Sequence, residues 1–431
     1  MSSPDLALPS GEHSHPLPDH EHPLPEHAHI VDTPPLPDHE HDLPDHTHAP
    51  RTAETLQHWP QSPADENTYI PAADAELPTR LDIPGILRRR TRLLLAASDS
   101  RNRQMADHVC NGNGDHHALS NAVEDLAKPG GKIELSAGTY AWDGEGIVNR
   151  DNVWVDGHER GTVLVPSSAF RADGFMLKFY IDESRPLFGC KLSNVRLSGE
   201  GVKFTQVNHG VLWAVQRGRV RDVRIWQMPG DGLWTRSPGD SCRDNIFDGC
   251  DIGACGRYGM NLDLPDSHIS NCIVRANAVS NVFGLLTGCM VTACHFFGSW
   301  ENQAKQTTLR NVHLKRSSRT RITGGKIEWA QEEVIWLDGD PKGGSITLVG
   351  VGVRGGSGKG DGLFPQMKVT RSGGSFWKLN LGICQFDSDV RKPSWNVWIQ
   401  EGAVRSSRAT GCTFEHAVEG DITQVAGLTV L

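Results

Sequence analysis

From about residue 106 onward the apolar residues come in short runs of three to five, separated by Gly, Asn, Asp and other turn formers, with no long helical periodicity after about 128. Runs of that length predict short strands, and their recurrence asks for a repeat. Cys250, Cys272 and Cys294 lie 22 residues apart. Each follows a small or turn-forming residue (Gly249, Asn271, Ala293) and precedes by two an apolar one (Ile252, Val274, Phe296). Looser echoes are "SNVRLSG" at 193–199, "RDVRIWQ" at 221–227, "RNVHLKR" at 310–316, "SITLVGVGV" at 345–353 and "GCTFEH" at 411–416. One turn of a parallel β-helix per repeat is the expectation, with Cys as a small side chain stacked in the core. A zinc site from Cys250, Cys255, Cys289 and Cys294 is the rival, but it lacks the paired spacing of structural zinc ligands.

Upstream the pattern changes twice. Residues 1–50 carry eleven of 25 prolines and ten of 20 histidines with few large apolar groups, so they favour extended backbone and cannot form a core. Residues 51–105 begin as a Pro-rich linker and then read "DIPGILRRRTRLLLAASDSRNRQMADH", which predicts a helix from about 84 to 106 with Pro84 at its start and Leu87, Leu94 and Leu95 on one stripe. Three segments follow: 1–50, 51–105, and a β-helix domain over 106–431.

Residues 110–142, "CNGNGDHHALSNAVEDLAKPGGKIELSAGTYAW", give a Gly/Asn loop, a short amphipathic helix (Ala118, Val123, Leu126), a turn, and strands through Gly131, Ile133, Leu135, Gly138, Thr139 and Tyr140. "NVWVDGHERGTVLV" at 152–165 follows as a first rung. This opening resembles that of the pectate-lyase-like, right-handed, single-stranded parallel β-helix superfamily, in which a helix covers the exposed end of the coil. The resemblance implies an all-β fold. It leaves function open, because the superfamily holds polysaccharide lyases, polygalacturonases and bacteriophage tailspikes.

Charge narrows the partners. The net charge of −9 arises in residues 1–50, which hold ten acidic and no basic residues, leaving 43 basic against 42 acidic in the remainder. That balance argues against a nucleic-acid surface. No apolar run is long enough to cross a bilayer, and the first residues lack a signal-peptide pattern, so membrane insertion is not expected and the ten cysteines are expected to be reduced.

Catalytic candidates are weak. Glycoside hydrolysis requires two carboxylates on one face, and Asp231 in "PGDGLW", Asp248 and Asp251 in "FDGCDIG", and Glu328, Glu332 and Glu333 in "KIEWAQEE" are the acids available. The polygalacturonase motifs are not reproduced; Asn208-His209-Gly210 and Arg321-Ile322-Thr323 are faint echoes. Twelve Trp against four Tyr, among them Trp226, Trp234, Trp300, Trp329, Trp336, Trp395 and Trp398, offer either sugar-stacking faces or core packing. Trp226 and Trp234, on either side of the Asp231 loop, are the carbohydrate-binding candidates.

The N-terminal segment repeats His-x-His five times, as His13 and His15, His20 and His22, His27 and His29, His39 and His41, and His46 and His48, and 17–29 matches 36–48 at ten of 13 positions. In extended backbone each pair presents two imidazoles on one side. Three parallel chains would bring six to one point, filling an octahedron around Fe(II), with Ni or Zn as alternatives. The array resembles the metal-threaded needle and fibre segments of phage tail proteins, though the intervening residues here are rich in Pro and acids. A loose metal scavenger is the alternative, and it needs neither the pair spacing nor the internal repeat. Both resemblances lead to a homotrimeric minor tail, tailspike or fibre protein of a tailed phage. Such a protein would be assembled in the host cytoplasm, join other tail proteins through its N-terminal region, and bind a host-envelope glycan through the β-helix. The alternative is a glycan depolymerase, hydrolase or lyase, on the same scaffold; a monomeric carbohydrate enzyme with a metal-storing tail is a third reading.

Overall fold

The computed structural model describes residues 90–431 apart from 159–160, 168–169, 171–173, 203–206, 238–240, 299–307, 340–343, 373–375, 389–391 and 416. The 22-residue period sets the architecture. Asp251–Gly253, Tyr258–Pro265 and His268–Ser270 form three sides of one coil, and Ile273–Arg275 begins the next, pairing parallel with Asp251–Gly253. Repetition gives three parallel sheets of 14, 11 and 11 strands. The fold is an all-β, right-handed parallel β-helix. We call the sheet through His268–Ser270 the first, that through Asp251–Gly253 the second and that through Tyr258–Pro265 the third.

The corners explain the repeat. Between the first and second sheets the chain turns on a residue in left-handed conformation, at Asn194, Asp222, Gly249, Asn271, Ala293, Gly324, Gly350, Ile383 and Gly411, singly except where Gly325 follows Gly324 in the same conformation. The corner N–H groups of Asn194, Asp222, Gly249, Asn271, Ala293, Gly324, Gly350 and Ile383 each donate to a carbonyl of the next coil at 2.9–3.2 Å. The small and turn-forming residues ahead of the cysteines are these corner residues. The residue after the corner points inward, so Val195, Val223, Cys250, Cys272, Cys294, Val351 and Cys384 form a buried row.

Each sheet adds its own inward row, made by alternation along short strands. In the first it runs Leu192, Val220, Phe247, Ile269, Val291, Ile322, Leu348 and Leu381. In the second it runs Leu164, Leu197, Ile225, Ile252, Val274, Phe296, Ile327, Val353 and Phe386. Each such side chain withdrawn from water stabilises the fold by about 1.5–3 kcal/mol before the entropy of ordering it is counted.

At the N-terminal end, helix His116–Asp125 buries Leu119, Ala122 and Val123 against the first coil, the covering role expected from the sequence. Tyr140 is buried beneath it and donates its hydroxyl to the Leu95 carbonyl at 2.9 Å. The expected helix over 84–106 is not present where the structure describes it: Arg92–Ala96 is a strand paired in parallel with Gly131–Leu135, and Arg103–Met105 is a single 3-10 turn. Leu93 and Leu95 point inward while Leu94 lies half-buried on the other side, which is strand alternation. The unpaired edge of Gly131–Leu135 recruits this segment and overrides its helical propensity. The coil therefore starts before the boundary expected at 106. Leu87 and Pro84 lie outside the described residues.

Ile383 holds a φ of +53° and is 74% exposed, a β-branched residue at a corner that suits Gly or Asn. Ile383→Asn is expected to raise the unfolding free energy by about 1 kcal/mol in chemical denaturation, because backbone strain is relieved and little packing is lost; a destabilised variant would contradict the assignment of strain.

Candidate functional site

Of the six acids considered from the sequence, Asp231, Asp248 and Glu328 fall on three different faces, and Asp251 shares the second sheet with Glu328. Asp231 sits in the corner leading into Leu233–Thr235 of the third sheet and is fully buried. It accepts from Asn261 Nδ2 at 2.9 Å and the Tyr258 N–H at 3.3 Å, and faces Arg257 at 3.5 Å. Its own N–H donates to His209 Nδ1 at 2.9 Å. Asp231 ties three coils together. Asp248, on the first sheet, accepts from Ser270 Oγ at 2.8 Å and Asn271 Nδ2 at 2.9 Å; the Asn271 bond leads in holding its carboxyl below the usual range. Glu328, on the second, meets His295 Nε2 at 2.8 Å. Burial pushes the Glu328 carboxyl up, but the His295 bond together with the charges of His295, Lys326 and Arg354 makes the net shift downward.

A glycosidase places its two carboxyls about 5 to 9.5 Å apart across one bond and raises the pKa of the general acid. Asp231, Asp248 and Glu328 on separate sheets do not meet the first condition. Asp248 and Glu328 are shifted opposite to the second.

Glu332 and Glu333, also considered from the sequence, do come together. Both face Arg310 on the third sheet, Glu333 at 2.9 Å, and Glu333 also takes Lys368 at 2.9 Å while Lys359 reaches Glu332 at 2.5 Å. Burial raises the Glu333 carboxyl, yet Lys368 and Arg310 leave it below its usual range. A Glu333 carboxylate held ionised by Lys368 and Arg310 suits structure and recognition better than proton donation.

The tryptophans divide similarly. Trp234 is on the third sheet, 5.4 Å from the His209 ring and 5.6 Å from Phe175. Trp226 is on the second, so the two do not form one platform around Asp231. Along the third sheet the rings consume one another's faces: Tyr258 stacks on Phe283 at 4.3 Å and His313 on Trp336 at 4.4 Å. Trp336 donates to Thr370 Oγ1, Trp329 forms a left-handed corner, and Trp395 donates to Glu419. Trp398 lies half-buried, paired in register with Lys368, and Trp300 lies outside the described residues.

Trp226, like Trp329 over Gly355 and Trp395 over Gly420, covers a glycine of the next coil: a Cβ on Gly253 would come within 2.3 Å of its six-membered ring, so the indole lies across a position that only glycine leaves open. The Arg224 and Arg275 guanidinium carbons sit 5.2 and 4.9 Å from its centre. Beside it runs a groove of about 580 Å³ lined by Arg196, Arg224, Asp251 and the corner residues Asn194, Asp222 and Gly249. A second groove, of about 250 Å³, follows the same sheet past Lys326, Glu328, Arg354 and Asp387. The arginines were not singled out from the sequence, although Arg196 and Arg224 occupy the same place in the echoes "SNVRLSG" and "RDVRIWQ".

The metal ligands expected from the sequence all lie outside the described residues: His13 and His15, His20 and His22, His27 and His29, His39 and His41, and His46 and His48. Among the described residues no group of three or more His, Cys, Asp or Glu is placed to hold a metal, so the zinc alternative at Cys250, Cys255, Cys289 and Cys294 is not assembled. All ten cysteines are free, and all but Cys412 are buried. Burial pushes the Cys255 thiol up to about 12 and Cys289 to about 11, which marks them as core side chains.

No protein-family description matches the sequence, and no curated protein matches it. Solved structures do match in fold. ORF18 of Geobacillus virus E2 aligns at 15% identity and a TM-score of 0.51 over 66% of this chain and 58% of its own. The full-length tailspike protein 2 of Escherichia coli O157:H7 bacteriophage CAB120 aligns at 12% and 0.52, over 72% of this chain and 44% of its own. DFA-IIIase from Arthrobacter chlorophenolicus A6 without its lid aligns at 12% and 0.56, over 78% and 92%. The chain thus spans about half the length of the two viral proteins. It shares the β-helix of the tailspike and of DFA-IIIase alike.

His313 gives this region a pH signature. Burial pushes its imidazole down to about 4 from 6.5, with Asp338 opposing and Arg310 assisting. Between those values the unfolded chain binds a proton that the folded chain refuses, so stability is full above pH 6.5 and is lost on acidification toward 4. Urea unfolding at fixed ionic strength should show that fall, with a shallower slope for His313→Gln; equal slopes in the two proteins would contradict it.

Proposed function

We propose that the chain is a structural protein of a bacteriophage tail, a homotrimer that attaches the virion to the host surface by binding an envelope glycan on the outside of its β-helix. The observation that carries the reading is the Trp226 platform and groove on the second sheet: an indole laid flat over Gly253, in line with donors and acceptors repeated from coil to coil. A rigid surface whose chemistry repeats coil by coil, about 4.8 Å apart, suits an extended polymer better than a compact metabolite. The tailspike among the fold neighbours supports the assignment to a virion, as does the array of five His-x-His pairs.

In this reading residues 1–50 run side by side in three chains, with six imidazoles around each transition-metal ion, Fe(II) first among the candidates. Each ion would take one pair from every chain, so that His13 and His15 serve one ion, His20 and His22 the next, and the series continues to His46 and His48. That segment also joins the trimer to other tail proteins. Ligation requires neutral imidazole, so metal should leave the protein below about pH 5.5, as measured by elemental analysis after desalting; metal retained at pH 5 would contradict His ligation.

One observation favours a depolymerase on the same scaffold, namely the His295–Glu328 pair beside the groove past Lys326 and Asp387. Adsorption to purified host-envelope polysaccharide and release of reducing ends from it separate the two. We expect adsorption, at least about tenfold weaker in Trp226→Ala, without turnover. Turnover that disappears in Glu328→Gln would replace attachment by depolymerisation.

A further inference from the structure

We propose that the groove beside Trp226 takes an acidic sugar, one that carries a carboxylate, sulfate or phosphate next to a free hydroxyl. The inference rests on the glycan-binding reading and specifies the chemistry of its ligand. Arg196 and Arg224 are in register on successive coils of the second sheet, and Arg275 lies two coils on, beyond Gly253. One carboxylate, Asp251, serves two of these guanidiniums, with Arg275 Nη2 at 3.1 Å and Arg224 Nε at 3.5 Å. Arg196 is engaged by Glu200, an exposed i,i+4 partner at 3.0 Å, and such pairs are weak and easily exchanged.

The hydrogen bonding is incomplete in a telling way. The Nε–H groups of Arg196, Arg224 and Arg275 are buried without a hydrogen-bond partner, and so is Asp251 Oδ1. Unpartnered buried polar atoms are few in folded proteins, and here two of the donors, on Arg196 and Arg224, and the Asp251 acceptor line one groove of about 580 Å³, with Arg275 joined to it through Asp251. A ligand that satisfies them brings an anionic group for the guanidiniums and a hydroxyl proton for the carboxylate. A modest rotation of each guanidinium aims its planar fork at that anion. The flat indole of Trp226 at the edge of the cluster supplies the apolar face on which a sugar ring rests. A neutral glycan offers the guanidiniums hydroxyl acceptors but not the charge that makes such bonds shorter and stronger.

Binding of the full-length protein to three acidic probes, an oligogalacturonate, a sialylated oligosaccharide and a phosphate-bearing oligosaccharide, tests this when each is compared with its methyl-esterified, desialylated or dephosphorylated counterpart. We expect at least one acidic probe to bind about tenfold or more tighter than its neutral counterpart, to weaken as salt rises, and to lose about tenfold in the double variant Arg196→Gln with Arg224→Gln. Trp226→Phe, which keeps a ring, should retain more binding than Trp226→Ala, and Trp336→Ala on the third sheet should change nothing. The altered side chains lie on the outer surface, and thermal unfolding of each variant confirms that it folds. Neutral and acidic forms bound equally, with loss in Trp226→Ala and none in the arginine variant, would overturn the acidic preference and leave glycan binding standing. No binding of any probe would overturn the acidic site, whereas failure to adsorb to host polysaccharide would remove the glycan reading itself.

Discussion

The structure depends on keeping successive coils in register, and the left-handed residue between the first and second sheets enforces that register. It fixes where each coil turns, donates its N–H to the next coil, and sends the following side chain inward. A one-residue slip would turn every outward residue of a strand toward the core. Because the corner repeats, the outside of the coil becomes a set of rows whose members are neighbours in space and, from Gly131 onward, 21 to 37 residues apart in sequence.

Those rows separate chemistry by face. Asp231, Asp248 and Glu328 are the weak catalytic candidates of the sequence, and the coil deals them to the third, first and second sheets. The same geometry brings together Arg196, Arg224 and Trp226, which lie on two coils, and Arg310 with Glu332 and Glu333. Aromatic residues on the third sheet stack on one another and stiffen the wall, while Trp226 lies over a glycine with the guanidiniums of Arg224 and Arg275 against its ring.

Much of the fold was legible in the sequence because the corner and the inward row leave local marks. Gly249-Cys250, Asn271-Cys272 and Ala293-Cys294 state the period outright, and the strands through Ile133 and Tyr140 lie where the sequence placed them. The segment 92–96 was misread as helix because Leu93-Leu94-Leu95 satisfies either period, and the strand edge that decides the matter lies about forty residues downstream. The candidate site was legible only in part. Trp226 stood out by residue type, but its flat placement depends on Gly253 one coil later, and the arginine row emerges only when "SNVRLSG" is stacked on "RDVRIWQ".

In the proposed function a surface-binding coil follows an N-terminal segment whose His-x-His pairs would each supply a third of an octahedron. The central claim is therefore one of symmetry, and native mass spectrometry of the full chain with its metal content tests it directly. The account predicts three chains of 47.2 kDa each, with bound transition metal in whole-number ratio to the trimer at six histidines per ion. A single chain that keeps its metal would contradict it.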